Sequence, residues 1–363
     1  MTRIYTRIYI GMENAIAIVQ SRQDQWQLDE YFTGTLPECV AVDPYKPERV
    51  YCGTSNKGLW YSDDAGLTWS AVGQGIPHET VMSVAVSASE RVGEYGVVWA
   101  GTEPSALFRS EDGGEHWQER TSLQDIPSKA TWSFPPKPYT HHIRWIQPDP
   151  IDSERIFVAI ERGGVMRSLD RGLTWEDHNP AAQIDRHALS MHAKAPGRLY
   201  ETAGGVSPAF RPRLQMALPP FQPRLIMRAG GYAETLDGGA TWKTIVDGLD
   251  ANHYLWSLAV DTGNPDTIVA SAAVGPIQAH RKGFAESYIL RRTGNGAWQR
   301  VSAGLPSPKG TIISSLVAAE AGVFYAANNQ GVFRSTNAGQ SWQALAIAWP
   351  ERYQEQHVKG VAL

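Results

Sequence analysis

The sequence predicts an all-β protein: one seven-bladed β-propeller over residues 1–363, with the ring closed by a C-terminal strand that completes the N-terminal blade. Three observations carry this prediction. A tryptophan-ended hairpin segment recurs along the chain, the same short apolar runs precede each copy, and the first unit lacks an innermost strand that the chain's last residues can supply.

The recurring segment reads Ser62-Asp-Asp-Ala-Gly-Leu-Thr-Trp69, Ser110-Glu-Asp-Gly-Gly-Glu-His-Trp117, Ser168-Leu-Asp-Arg-Gly-Leu-Thr-Trp175, Thr235-Leu-Asp-Gly-Gly-Ala-Thr-Trp242 and Ser335-Thr-Asn-Ala-Gly-Gln-Ser-Trp342. Each fixed position has a task in a tight hairpin. Asp64, Asp112, Asp170, Asp237 and Asn337 have short side chains that accept hydrogen bonds from backbone N–H groups further along the turn. The glycine supplies a positive φ, and the tryptophan opens the next strand with a large apolar surface to bury.

Upstream lie Val50-Tyr-Cys-Gly-Thr54 with Gly58-Leu-Trp-Tyr61, Val98-Trp-Ala-Gly-Thr102 with Ala106-Leu-Phe-Arg109, and Val323-Phe-Tyr-Ala-Ala327 with Gly331-Val-Phe-Arg334. A third run, such as Val40-Ala-Val42 or Ser257-Leu-Ala-Val260, precedes those. Each unit is thus four short strands, A to D, with the box at the C–D turn, which is the pattern of a propeller blade. Two weaker boxes, Arg292–Trp298 and Ser21–Trp26, bring the count to seven. The first unit has no strand A, whereas Gln356-His-Val-Lys-Gly-Val-Ala-Leu363 resembles one, and pairing the two removes both free edges. Segments at about 118–140, 203–230 and 274–286 are then insertions in this one domain.

Composition agrees. Hydrophobic residues make up 42% and charged residues 19%, enough for a core, and 13 tryptophans with 34 glycines suit strands and tight turns. The net charge of −4 comes without a basic run, so nucleic acid is not an expected partner. No apolar run is long enough to span a bilayer, and Met1–Val19 lacks the apolar core and cleavage site of a signal peptide, so a cytoplasmic protein with no membrane partner is expected. In that compartment Cys39 and Cys52 read as reduced, buried thiols, although their consecutive strands leave a strained cross-strand disulfide open.

The boxes resemble those of the Asp-box, or BNR-repeat, propellers, which include sialidases, two-domain xyloglucanases, the sortilin luminal domain and a photosystem II assembly factor. The resemblance covers nearly the whole chain through the repeat. It implies that the box aspartates are structural, because the box lies away from the functional face, and it leaves sialidase-like or other glycosyl hydrolase chemistry and non-catalytic binding both open. Two departures matter. The sialidase Phe/Tyr-Arg-Ile-Pro motif has only Arg7-Ile-Tyr9 here, with no proline following, and the count of seven units differs from six-bladed sialidases. Xyloglucanases of this type use two propellers, and this chain supplies one.

If the boxes mark one face, the D–A and B–C connections mark the other, and the insertions fall there. Six of the 10 histidines stand at loop-to-strand-A junctions: His78, His141, His142, His187, His253 and His357. Of these His142, His187, His253 and His357, assisted by Glu161, are candidate acids and bases, and His142, His187 and His253 are candidate ligands of a divalent metal. Arg144 and Arg162 are candidates to hold an anionic group, with Glu103, Trp256, Lys359 and the loop residue Trp132 as further binding residues. A plainer reading stands beside each of these. Histidines there can bond to neighbouring loops, Glu161-Arg162 can be a surface ion pair, and Trp132 with Phe134 can be loop packing.

The expected function is therefore an enzyme, a glycoside-hydrolase-like hydrolase or a lyase, acting on a small polar or carbohydrate-like ligand in the axial funnel. The alternative is a non-catalytic scaffold that binds a protein partner on the same face.

Overall fold

The structure, a computed structural model, describes residues 7–22, 25–72, 74–134, 137, 139–205 and 230–363, so most of the 203–230 insertion lies outside the described residues. Seven antiparallel sheets follow one another around the ring. Six have four strands; the fourth blade has three, Ile143–Pro148, Ile156–Ile160 and Gly164–Ser168, with an isolated bridge between Arg167 and Glu176 where the outer strand would run. The terminal strand Gly360–Ala362 pairs with Arg7–Gly11 in the register Tyr9↔Ala362, Ile10↔Val361 and Gly11↔Gly360, which closes the ring.

Sheets pack on sheets because B strands such as Ile156–Ile160 are apolar throughout and buried on both faces. One cluster joins Val97, Trp99 and Leu107 of the third blade to Ile143, Ile156 and Val158 of the fourth. Another crosses the closure, joining Ile8 and Ile10 to Tyr325, Tyr353 and Val358. Cys39 is paired across the sheet with Gly53, and Cys52 with Val40, so the two thiols sit one register apart on opposite faces. Both are free; Cys52 is buried as expected, whereas Cys39 is half-buried, with desolvation of its thiol pushing it up to about 12.

The boxes have one geometry. Asp64 Oδ1 accepts from the N–H of Leu67 at 3.0 Å and of Thr68 at 2.8 Å, and Oδ2 accepts from the Thr68 hydroxyl at 2.6 Å. Ser62 Oγ accepts from Gly66 N–H at 2.7 Å, and Trp69 Nε1 donates to Gly66 O at 3.0 Å. Asp170 and Asp237 repeat the pattern, His116 replaces the threonine for Asp112, and Asn337 donates to Ser341. These bonds hold Asp237 down to about 2, with the Thr241 hydroxyl the largest contributor.

The residue before the box glycine is left-handed too: φ is 59° at Ala65, 59° at Arg171 and 58° at Ala338, while Gly113 and Gly238 fill this position in the other two boxes. Two successive positive φ values make a primed hairpin turn. A side chain there costs about 1–2 kcal/mol, partly offset in the unfolded chain. Ala338→Gly is therefore expected to stabilise the protein by about 0.5–1 kcal/mol, read as a higher denaturation midpoint in urea. An unchanged or lower midpoint would refute that turn assignment.

Candidate functional site

Because the strands alternate in direction, A strands begin and B strands end on the face opposite the boxes. At the axis of that face lies a cavity of about 680 Å³. Its lining is set by a repeated irregularity. In five blades the A–B register slips near the start of strand A, between Pro37 and Cys39, Val81 and Ser83, Ile143 and Trp145, Arg186 and Ala188, and Leu255 and Leu258. The residues in those gaps include Glu38, Met82, Arg144, His187 and Trp256, and all five line the cavity. A bulge turns a side chain that strict alternation would place elsewhere, and here it aims one from each of five blades at the axis.

On one wall His142 is clamped between two carboxylates, with Nε2 2.9 Å from Glu161 and Nδ1 3.3 Å from Glu103. Lys137 holds the other Glu103 oxygen at 3.1 Å, and the Phe134 ring packs 4.7 Å from His142. Burial opposes charge on His142, but its bonds to Glu103 and Glu161 outweigh that and raise its pKa above the ordinary 6.5. Burial likewise works to raise Glu161, yet the His142 hydrogen bond and the charges of His142, His187 and Arg144 hold it below 4.5. Glu103 is also held below 4.5, chiefly by His142.

These shifts fix a pH window. The carboxylate contribution is present above 4.5 and is lost as pH falls through the lowered folded values; the histidine contribution is present below 6.5 and is lost as pH rises through the raised one. His142→Gln should therefore cost about 3 kcal/mol, with the gap from wild type widest between pH 4.5 and 6.5 and narrowing on both sides. Denaturant midpoints across the pH range measure it, and a pH-independent gap would contradict the clamp.

Beside the clamp, ligating atoms of Glu161, Asp185 and His187 all lie within 4.8 Å of one another. His187 is 2% exposed, and its Nδ1–H donates to Leu255 O at 2.6 Å. Burial raises the pKa of Asp185, with His187 opposing and Glu161 reinforcing the shift. Two neighbouring carboxyl groups are thus pushed apart, Glu161 toward the ion and Asp185 toward the acid.

Against His187, each with its ring centroid 4.8 Å away, stand Tyr254 and Trp256, two residues apart on one strand, with rings 12° from parallel and centroids 6.4 Å apart. The Arg144 guanidinium lies 4.4 Å over Trp256. The Tyr254 hydroxyl is hydrogen-bonded to His280 Nε2 at 2.8 Å, and His280 Nδ1 to His357 Nε2 at 2.9 Å. Burial, with the charges of His187, Arg144 and Lys359, drives His280 down to about 3; burial, with His280 and Lys359, drives His357 down as well. Both are neutral near pH 7. Lys359 completes the rim, 3.5 Å from Glu38.

The structure therefore gathers His142, His187, His357, Glu161, Glu103, Arg144, Trp256 and Lys359 around one cavity. It places three other sequence candidates elsewhere. His253 Nε2 meets Asp250 O of its own turn at 3.0 Å, so His142, His187 and His253 do not converge. Arg162, at φ 52°, sits on the B–C turn outside the lining, and Trp132 is buried with Leu123 and Ile126, its Nε1 donating to Ser128 at 3.1 Å. Glu201 pairs with Arg186 inside the fifth blade. Among the described residues, the groups close enough together to share a metal are Glu161, Asp185 and His187.

Asp185, Tyr254, His280 and Glu38 line the cavity without having been singled out in the sequence. Asp185 had a signal, two residues before His187 on an extended segment. His280 had none of that kind, since it arrives on the short helix Pro276–His280 within the 274–286 insertion.

The BNR/Asp-box repeat family profile matches residues 60–71, the hairpin that begins the Asp64 box. Xyloglucanase Xgh74A of Acetivibrio thermocellus is 25% identical over 312 residues, which is 77% of this chain and 34% of that enzyme. The chain spans no more than about a third of the length of the curated relatives it matches. Among solved structures, the GH74 xyloglucanase from Xanthomonas campestris aligns at TM-score 0.58 and 16% identity over 98% of this chain and 52% of its own. YCF48 bound to D1 peptide aligns at TM-score 0.55 and 13% identity over 92% of this chain and 94% of its own. At such identities these structures share the fold. With the profile matching one of five like boxes and seven sheets closed into a ring, the chain is a seven-bladed β-propeller that carries a BNR/Asp-box repeat.

Proposed function

We propose that the chain is a glycoside-hydrolase-like enzyme that acts on a small, polar, sugar-like molecule in the axial cavity. The observation that carries this is the Glu161–Asp185 pair, with oxygens no more than 4.8 Å apart and protonation preferences driven in opposite directions. Asp185 gives its proton to the leaving oxygen while ionised Glu161 attacks or stabilises the sugar carbon. Such spacing is near the roughly 5–5.5 Å of a retaining pair and short of the roughly 6.5–9.5 Å that admits a water between carboxylates. Trp256 and Tyr254 add apolar surface to the lining, and the cavity falls within the roughly 300–1,000 Å³ of small-molecule sites. The relatives named as xyloglucanases support glycosidase chemistry; their partial overlap with this chain keeps xyloglucan out of the proposal.

A dication at Glu161, Asp185 and His187 would add positive charge where His142 and Arg144 already stand beside Glu161, so the proposed chemistry runs without one. The test is turnover of a panel of aryl glycosides and glycuronides before and after EDTA dialysis. Turnover that survives EDTA and keeps the anomeric configuration is the expected result; no turnover on any member overturns the proposal. A second reading, a scaffold that holds a protein partner on this face, draws on the whole-chain alignment with YCF48 bound to D1 peptide. It predicts capture of an extended peptide by wild type and by Glu161→Gln alike, with no turnover.

A further inference from the structure

Arg144 differs from every other buried arginine among the described residues. Arg49 donates to Asp63 at 2.7 Å, Arg109 to Glu90 at 2.7 Å, Arg120 to Gln118 at 2.8 Å and Arg292 to Gly296 O at 3.0 Å, while Arg186 is in contact with Glu201. Arg144 is 8% exposed, makes no hydrogen bond to a described residue, and comes no nearer to a carboxylate than 4.0 Å, at Glu161. A charge-assisted bond needs about 2.7–2.9 Å. Its Nε is fully enclosed and unbonded, and the guanidinium lies 4.4 Å over Trp256 where it lines the cavity. Stacking on an indole leaves the donors in the guanidinium plane free for a planar or tetrahedral oxyanion. The register slip in strand Ile143–Pro148 puts it there.

We infer that Arg144 receives an oxyanion, and that the cavity's ligand is an anionic sugar, carrying a carboxylate or a phosphate, rather than a neutral glycan. Burying a guanidinium with no hydrogen-bond acceptor is unfavourable, and a bound oxyanion supplies one. Lys359 stands on the same rim, paired with Glu38 at 3.5 Å, so the anion is assigned to Arg144 and not to Lys359. The sugar skeleton rests on the enzymatic reading above; the anion preference does not require turnover.

Calorimetric titration of the full chain with glucuronate, glucose 6-phosphate and glucose tests it. One of the two anions should bind about 10–100-fold more tightly than glucose, and which one does so tells carboxylate from phosphate. Arg144→Gln should erase that preference, and Glu161→Gln should keep it. Equal binding of all three, binding of none, or a preference that survives Arg144→Gln overturns the inference. A second readout needs no ligand. Arg144→Met should leave the thermal midpoint unchanged or raise it by roughly 2 °C, whereas Arg49→Met lowers it by several degrees. A comparable fall for both variants also overturns it. Anion-selective binding without turnover of any glycoside would sink the enzymatic reading alone.

Discussion

Glu161→Gln is expected to lower kcat on any glycoside the protein turns over by at least about a thousandfold with little change in KM, and Asp185→Asn to do the same. The amide keeps the size of Glu161 and loses the negative charge the reaction needs; in the second variant the cavity loses its acid. The pH profile separates the roles. The acid limb of kcat/KM reports Glu161, held below 4.5, and the alkaline limb reports Asp185, raised above 3.8, the two limbs belonging to the pair as a unit. A bound substrate that expels water from the cavity raises the acid further and widens the plateau of kcat relative to that of kcat/KM. Since Glu161 also faces His142 at 2.9 Å, its loss costs stability as well as rate. Circular dichroism at the assay temperature must therefore show a folded variant. A folded Glu161→Gln within tenfold of wild type would remove the carboxyl pair from the chemistry.

The parts of the molecule legible in the sequence were those written in local chemistry. A box needs an acceptor side chain, a left-handed residue and a tryptophan at fixed spacing, all of which survive reading as text, so blade count and closure followed. Asn337 shows the tolerance of the pattern, since its amide reproduces the Asp64 contacts through Oδ1 to the Ser341 N–H and Nδ2 to the Ser341 hydroxyl. The site depended on something text does not carry. Arg144, His187 and Trp256 reach the axis through one-residue slips in strand register, and a slip by one residue sends a side chain to the other face. His187 and His253 therefore look alike as junction histidines, yet only His187 lines the cavity. Asp185 and His280 depend on neighbours far away in sequence: His280 meets His357, and the Asp185 carboxyl meets Glu161.

Deleting residues 356–363 is expected to abolish cooperative folding. The deletion removes the three pairings of Tyr9, Ile10 and Gly11 with Ala362, Val361 and Gly360, together with the bond from Lys359 N–H to Gly11 O. It also takes fully buried Val358 out of the cluster that contains Ile8, Ile10, Tyr325 and Tyr353. The fully buried Val358 side chain at about 1.5–3 kcal/mol, part of that for half-buried Val361, and several backbone bonds at about 1 kcal/mol each, sum to much of the roughly 5–15 kcal/mol that holds a domain folded. The strand left behind, Arg7–Gly11, would present an apolar free edge, the kind that pairs with other chains. The graded version is Val358→Ala, which should cost about 2–3 kcal/mol through the cavity it leaves. Urea melts followed by tryptophan fluorescence measure both. The deletion should yield aggregate or a broad, non-cooperative transition, and the point variant a parallel curve shifted to lower urea. If the shortened chain melted cooperatively at the wild-type midpoint, the terminal strand would not be what fastens the first blade, and His357 and Lys359 would lose the anchor that brings them to the axis.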